Sequence, residues 1–183
     1  MHILKNLFIV VFLSFLFSIK GEAQTTEQSD FSGLKKCTVF SAGDDNVNSY
    51  RIPSLLTTKD GTLLVFCEAR RDSWRDKSRT DIVVKRSEDT GKTWSVMQDL
   101  TQGITGAYMD PTPILDSITG RIFLFTTFWP SEDHSGTKNR AILITSDDNG
   151  KTWSSPVDVT STIIPAGYHI VGFGPGAGLQ MSG

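Results

Sequence analysis

The sequence has little histidine and cysteine, three and two in 183 residues. Cys37 and Cys67 match no zinc-ligand spacing, and no cluster of metal-ligating residue types stands out, so neither a metal site nor a cofactor is expected. Neither sign of charge dominates: 18 Lys+Arg against 20 Asp+Glu give a formal net charge of −2. Without a basic stripe, nucleic acid is excluded as a partner class. Helical periodicity over three turns is missing beyond residue 24. The apolar run from Leu7 to Ile19 is shorter than the ~20 residues a bilayer span requires.

That run follows a basic start (His2, Lys5) and precedes small residues at Gly21 and Ala23. This is the layout of a secretory signal peptide, residues 1–23, cleaved near Ala23–Gln24. Cleavage predicts a secreted or periplasmic protein with no stable membrane span. It removes two of the 18 basic residues (Lys5, Lys20) and one of the 20 acidic ones (Glu22), leaving a formal charge of −3. Residues 24–36 are polar and read as a linker; residues 37–183 read as the folded domain. In an exported protein Cys37 and Cys67 are permitted a disulfide. Both sit in apolar, strand-like stretches, so one bridge and two buried thiols both stay open.

What fills the domain is β structure. Short apolar runs ("SLLTT", "TLLVFCEA", "DIVVKRS", "TPILD", "RIFLFTTFW", "AILITS") alternate with turn sequences such as "TKDGT", "DTGKT", "SITGR" and "DDNGKT". Two octapeptides, "SEDTGKTW" (87–94) and "SDDNGKTW" (146–153), share the pattern Ser-x-Asp-x-Gly-x-Thr-Trp and start 59 residues apart. Each follows a strand and leads into an Asp-containing segment, the signature of a repeated strand–turn–strand unit such as a propeller blade. The pattern suits a tight turn. Ser87, Asp89, Ser146 and Asp148 can bond nearby backbone N–H groups, Gly91 and Gly150 can take positive φ, and Trp94 and Trp153 can pack beneath. The boxes are structural; one per blade would hold Asp89 and Asp148 too far apart for shared chemistry.

Chemistry is concentrated elsewhere. In "YRIPSLLTTKDGTLLVFCEARR" (50–71), a hairpin turning at Lys59-Asp60-Gly61 brings Arg51 and Arg70 to the same end of adjacent strands, with Glu68 beside them. Two neighbouring guanidiniums need a carboxylate or an anionic ligand between them, and the planar fork of arginine suits a carboxylate. The polar loop "RRDSWRDKSRTD" (70–81) offers Asp72, Asp76 and Asp81 as proton donors, among which composition does not choose. Asp110 precedes Pro111, a turn signal, and Trp129 ends an aromatic strand.

Taken together, Arg51-Ile52-Pro53, "EARR", a charged loop, "DIVVKRS" running into an Asp box, and "MDPTPI" resemble the N-terminal half of a bacterial exo-sialidase (neuraminidase), over residues 37–183. The resemblance implies a six-bladed β-propeller, of which about half is present, with its site at the centre of one face. It implies that Arg51 is one of three arginines clamping the sialic acid carboxylate. Arg70 would line the pocket near the 4-hydroxyl, with Glu68 close by, Asp110 would contact the 4-hydroxyl or the N-acetyl side of the sugar, and Asp76 would be the acid/base. Met109 and Trp129 would form the wall of the N-acetyl pocket. The family's tyrosine nucleophile, its glutamate and two further arginines have no counterpart here; Tyr50, Tyr108 and Tyr168 lie in other contexts. The expected partners are sialylated glycoconjugates, and these residues alone are expected to be inactive. The alternative is a non-catalytic Asp-box propeller that binds glycan or protein.

Overall fold

The computed structural model describes residues 36–102, 105–174 and 176–181. The expected leader (1–23) and the linker up to residue 35 lie outside the described residues. Eight strands follow in chain order: β1 (Ser49–Thr57), β2 (Leu63–Arg70), β3 (Thr80–Ser87), β4 (Gln98–Asp99), β5 (Gly106–Leu115), β6 (Ile122–Pro130), β7 (Arg140–Ser146) and β8 (Val157–Asp158). The described residues are all-β apart from a 3-10 turn at Asp44–Asn46 and one helical turn, α1 (Thr160–Ile163).

β1 to β4 pair consecutively as an antiparallel meander, and β5 to β8 repeat it. Each meander is a propeller blade with a two-residue outer strand. The blades meet where Thr80 of β3 pairs in parallel with Ala107 of β5, and the inner strands β1 and β5 lie against one another. Two of the expected six blades are described.

Strand alternation decides what lies between the blades. Leu64 and Phe66 of β2, and Ile82 and Val84 of β3, point to one face and join Ile122, Leu124, Phe128, Ile142 and Ile144 of the second blade in a single core. The intervening residues Cys67, Ala69 and Val83 face the other way, into a smaller cluster with Val47, covered by Phe40, Tyr50 and Met97. A period of two can serve both faces in this way. Each fully buried aliphatic or phenyl side chain contributes about 1.5–3 kcal/mol, so face-to-face blade packing is the main stabilising term.

The octapeptides form matching turns. In the first, Ser87 Oγ donates to Asp89 Oδ1 (2.8 Å) and accepts the Gly91 N–H (2.8 Å). Asp89 also accepts the Thr93 N–H (2.9 Å) and hydroxyl (2.7 Å). Ser146, Asp148, Gly150 and Thr152 repeat these bonds at 2.6 to 2.9 Å. Gly91 and Gly150 have φ of 83° and 74°, a region that favours glycine.

The second box also acts between blades. Trp153 packs edge-on against Phe66 of β2 with ring centroids 5.6 Å apart. The Asn149 carbonyl accepts from Arg86 Nε (3.0 Å), and Asn149 Nδ2 donates to Asp60 Oδ2 (2.7 Å). Beyond α1 the chain returns across the inner strands: Ser54 Oγ donates to the Gly176 carbonyl (2.6 Å) and Thr112 Oγ1 to that of Gly174 (2.9 Å). The cysteines are unpaired, Cys37 exposed and Cys67 buried.

Candidate active site

β1 and β5 carry the same irregularity. The register of β1 against β2 shifts between Arg51 and Ser54, and that of β5 against β6 between Met109 and Thr112. At each bulge a residue with left-handed backbone precedes a proline: Ile52 (φ 53°) before Pro53, and Asp110 (φ 58°) before Pro111. Such a conformation is strained for a β-branched residue, and a bulge re-aims the neighbouring side chains. Each bulge is tied to the second strand of its own blade at an equivalent place. Cys67 Sγ donates to the Arg51 carbonyl (2.9 Å), and Thr126 Oγ1 donates to that of Met109 (2.5 Å). Burial pushes the Cys67 thiol up to about 12, so it stays protonated and able to donate.

The site residues gather at the end of the inter-blade core. Along β2 the inward positions run Leu64, Phe66, Glu68, Arg70, so apolar contact gives way to two buried charges. Arg70 donates to Glu68 Oε2 through both Nε (3.0 Å) and Nη2 (2.7 Å). Glu68 Oε1 accepts the Asp110 N–H at 3.0 Å. Removing one partner of such a buried pair costs roughly 3–5 kcal/mol, because the other charge is left uncompensated. Burial raises the Glu68 pKa, opposed by the bonds from Asp110 and Arg70.

Outward from this pair, Arg70 Nη1 donates to the Trp74 carbonyl (2.6 Å) and pairs with Asp76 Oδ1 (2.7 Å). Arg51 Nη1 meets the same Asp76 oxygen at 3.3 Å. The side chains of Arg51 and Asp76 are 45% and 62% exposed, against 1% for Arg70 and 0% for Glu68. Asp110 is half-buried; burial raises its pKa, with Arg70 pulling it down and Asp76 pushing it up. The result is an open surface where two guanidiniums converge on one carboxylate.

The other candidates fall as follows. Asp72 pairs with Arg79 (3.4 Å), and Asp81 is buried against Arg71 (2.9 Å). Trp129 lies under Lys77, whose Nζ is 4.9 Å from the ring centroid, so the Asp76 loop spans both blades. Met109 is 5% exposed and belongs to the interior. Glu68, expected close to the 4-hydroxyl pocket, is fully enclosed: strand alternation puts it on the same face as Leu64 and Phe66, and both its oxygens are engaged inside the protein. Sequence reasoning missed Lys77 and the Trp74 carbonyl. It also missed the repeated left-handed Xaa-Pro, although Ile52-Pro53 and Asp110-Pro111 stand 58 residues apart, almost the spacing of the boxes.

A two-blade, Asp-box architecture with Arg51 of β1 and Arg70 of β2 meeting at the end of the inter-blade core defines a class of propeller, and comparison with known proteins narrows it. Residues 52–183 match the BNR repeat-like domain family, to which the chain belongs. Its relatives are sialidases. The chain is 32% identical over 163 residues to a sialidase of Bacteroides fragilis, covering 77% of this chain and 30% of that protein. It is 35% identical over 140 residues to a sialidase of Paraclostridium sordellii, covering 69% and 34% respectively. Among solved structures, the Hadza microbial sialidase Hz136 superposes with a TM-score of 0.68 at 30% identity, over 76% of this chain and 32% of that one. The chain therefore spans about a third of the length of these relatives.

Proposed function

We propose that these residues are part of a retaining exo-α-sialidase that releases terminal sialic acid from glycoconjugates. The observation that carries the reading is the convergence of Arg51 and Arg70 on Asp76, beside the half-buried Asp110; the sialidase relatives support it. Arg51 takes the substrate carboxylate, exchanging Asp76 for an anion that fits its fork, and two arginines from further blades complete the clamp. Arg70 and Asp110 hold the 4-hydroxyl side of the sugar, and Trp129 borders the N-acetyl side. Asp76 protonates the leaving oxygen and then activates water. The anomeric carbon bears a carboxylate, so a carboxylate nucleophile would meet like charge; a tyrosine, deprotonated by a glutamate, avoids this. Both come from further blades.

The experiment compares release of a fluorogenic aglycone from a sialoside by residues 24–183 and by the protein read through its complete open reading frame. Turnover is expected from the complete protein and not from residues 24–183, which hold no tyrosine in the nucleophile's context. A complete protein that binds sialosides without cleaving them would overturn the enzymatic reading in favour of a lectin-like propeller.

A further inference from the structure

Glu68 is the most enclosed carboxylate of the site, and its two oxygens serve different blades. Oε2 takes both the Nε and Nη2 hydrogens of Arg70, on its own strand. Oε1 reaches across to the N–H of Asp110, 42 residues away on β5, at the bulge where Asp110 has φ 58°. That N–H lies outside the regular β5–β6 ladder, whose register breaks between Met109 and Thr112. A buried backbone donor there needs an acceptor from elsewhere. The following residue, Pro111, has no N–H to help hold the bulge. Beyond the second blade another backbone donor is met by a β6 side chain: Thr127 Oγ1 accepts the N–H of Phe173 at 2.9 Å.

We propose that Glu68 is a positioning residue spanning the two blades, fixing the Arg70 guanidinium with one oxygen and the Asp110 peptide with the other. Arg70 in turn fixes Asp76 and the Trp74 carbonyl, so one buried carboxylate sets the relative placement of three side chains from two blades and a loop. Its consequence for catalysis rests on the sialidase reading; its consequence for the Asp110 peptide does not.

The test uses the full-length protein with Glu68→Gln, Glu68→Asp, Asp110→Ala and the Glu68→Gln/Asp110→Ala pair. Glutamine keeps the shape but has one acceptor end and one donor end, so it cannot accept from both Arg70 and Asp110. Aspartate keeps the charge for Arg70 but is one methylene too short to reach Asp110, and it serves if the glutamine variant does not fold. Hydrogen exchange read by mass spectrometry on peptides covering β5 reports the Asp110 amide independently of turnover. Loss of the bond is expected to speed its exchange by roughly tenfold beyond any change shared by the amides of Ile82 to Val84 in β3, which report the stability of the whole core. On a sialoside, kcat/KM of Glu68→Gln is expected to fall by roughly tenfold, mostly through KM. That loss should be less than multiplicative with Asp110→Ala, since the side chain being positioned is gone. Asp110 exchange that rises no more than that of Ile82 to Val84 in a folded Glu68 variant overturns the proposal, as do strictly multiplicative effects in the pair. A wild-type protein inactive on every sialoside would sink the sialidase reading, while the exchange measurement would still decide the role of Glu68.

Discussion

Arg51 and Arg70 reach the same oxygen of Asp76, at 3.3 and 2.7 Å, from adjacent strands of one hairpin. Arg70 is enclosed and fixed by Glu68, whereas Arg51 is half exposed and free to change partner. The two cations therefore sit in different environments, one locked in the interior and one open to solvent.

Arg51→Ala is expected to weaken binding and turnover of a sialoside together, by ~2–4 kcal/mol in kcat/KM, through loss of a bidentate carboxylate partner. Steady-state kinetics on the full-length protein check this.

Asp76→Asn should chiefly slow turnover, by roughly 10²–10⁴-fold, and least for substrates with good leaving groups. Asp72, paired with Arg79, is the control. If Asp72→Asn shows that pattern and Asp76→Asn does not, the acid/base assignment is four residues out.

Gly150→Ala should destabilise the protein more than Gly91→Ala. A Cβ at Gly150 would lie 2.8 Å from Leu64 Cδ2 of the neighbouring blade, whereas at Gly91 the nearest atom, Leu63 Cδ1, is 3.7 Å away. Both variants bear the left-handed backbone penalty, about 1 kcal/mol or more; Gly150→Ala adds overpacking of roughly 1–3 kcal/mol. Paired thermal unfolding curves measure the difference.

The first Asp box should also set part of the acid sensitivity. Its bonds from the Thr93 N–H and hydroxyl, and from Ser87, lower the Asp89 pKa from 3.8 to about 2. A depressed carboxylate contributes stability that is present above its unfolded pKa and lost as pH falls through the folded value. The urea midpoint should therefore drop between about pH 4 and pH 2, less steeply in Asp89→Asn. Equal slopes in the two proteins would dissociate the box from acid unfolding.

The basic, apolar, small-residue order of residues 1–23 predicts a mature N-terminus near Gln24 when the protein is made in a Gram-negative host. N-terminal sequencing checks it; an intact Met1 in the membrane fraction would indicate an anchor instead. Among the described residues no helix is long and apolar enough to cross a membrane.

Strands and turns were legible because their causes are local. The bonds that build "SEDTGKTW" all close within four residues, and the alternation in β2 and β3 follows from the pleat. The hairpin at Lys59-Asp60-Gly61 likewise brings Arg51 opposite Glu68 and Arg70 opposite Ser49. Composition left Asp72, Asp76 and Asp81 equivalent, because a polar stretch of this kind carries no periodicity to aim its side chains; the structure keeps Asp72 and Asp76 in the loop and places Asp81 in β3. Packing the second blade on the first is what tertiary structure decided. It brought Glu68 to Asp110, Lys77 over Trp129 and Gly150 against Leu64. These contacts join residues 42 to 86 positions apart, and the sequence near each partner holds no sign of the other. In sequence Glu68 stood only as a neighbour of Arg70. It is interior because strand parity turned it toward a blade whose position no local pattern encodes.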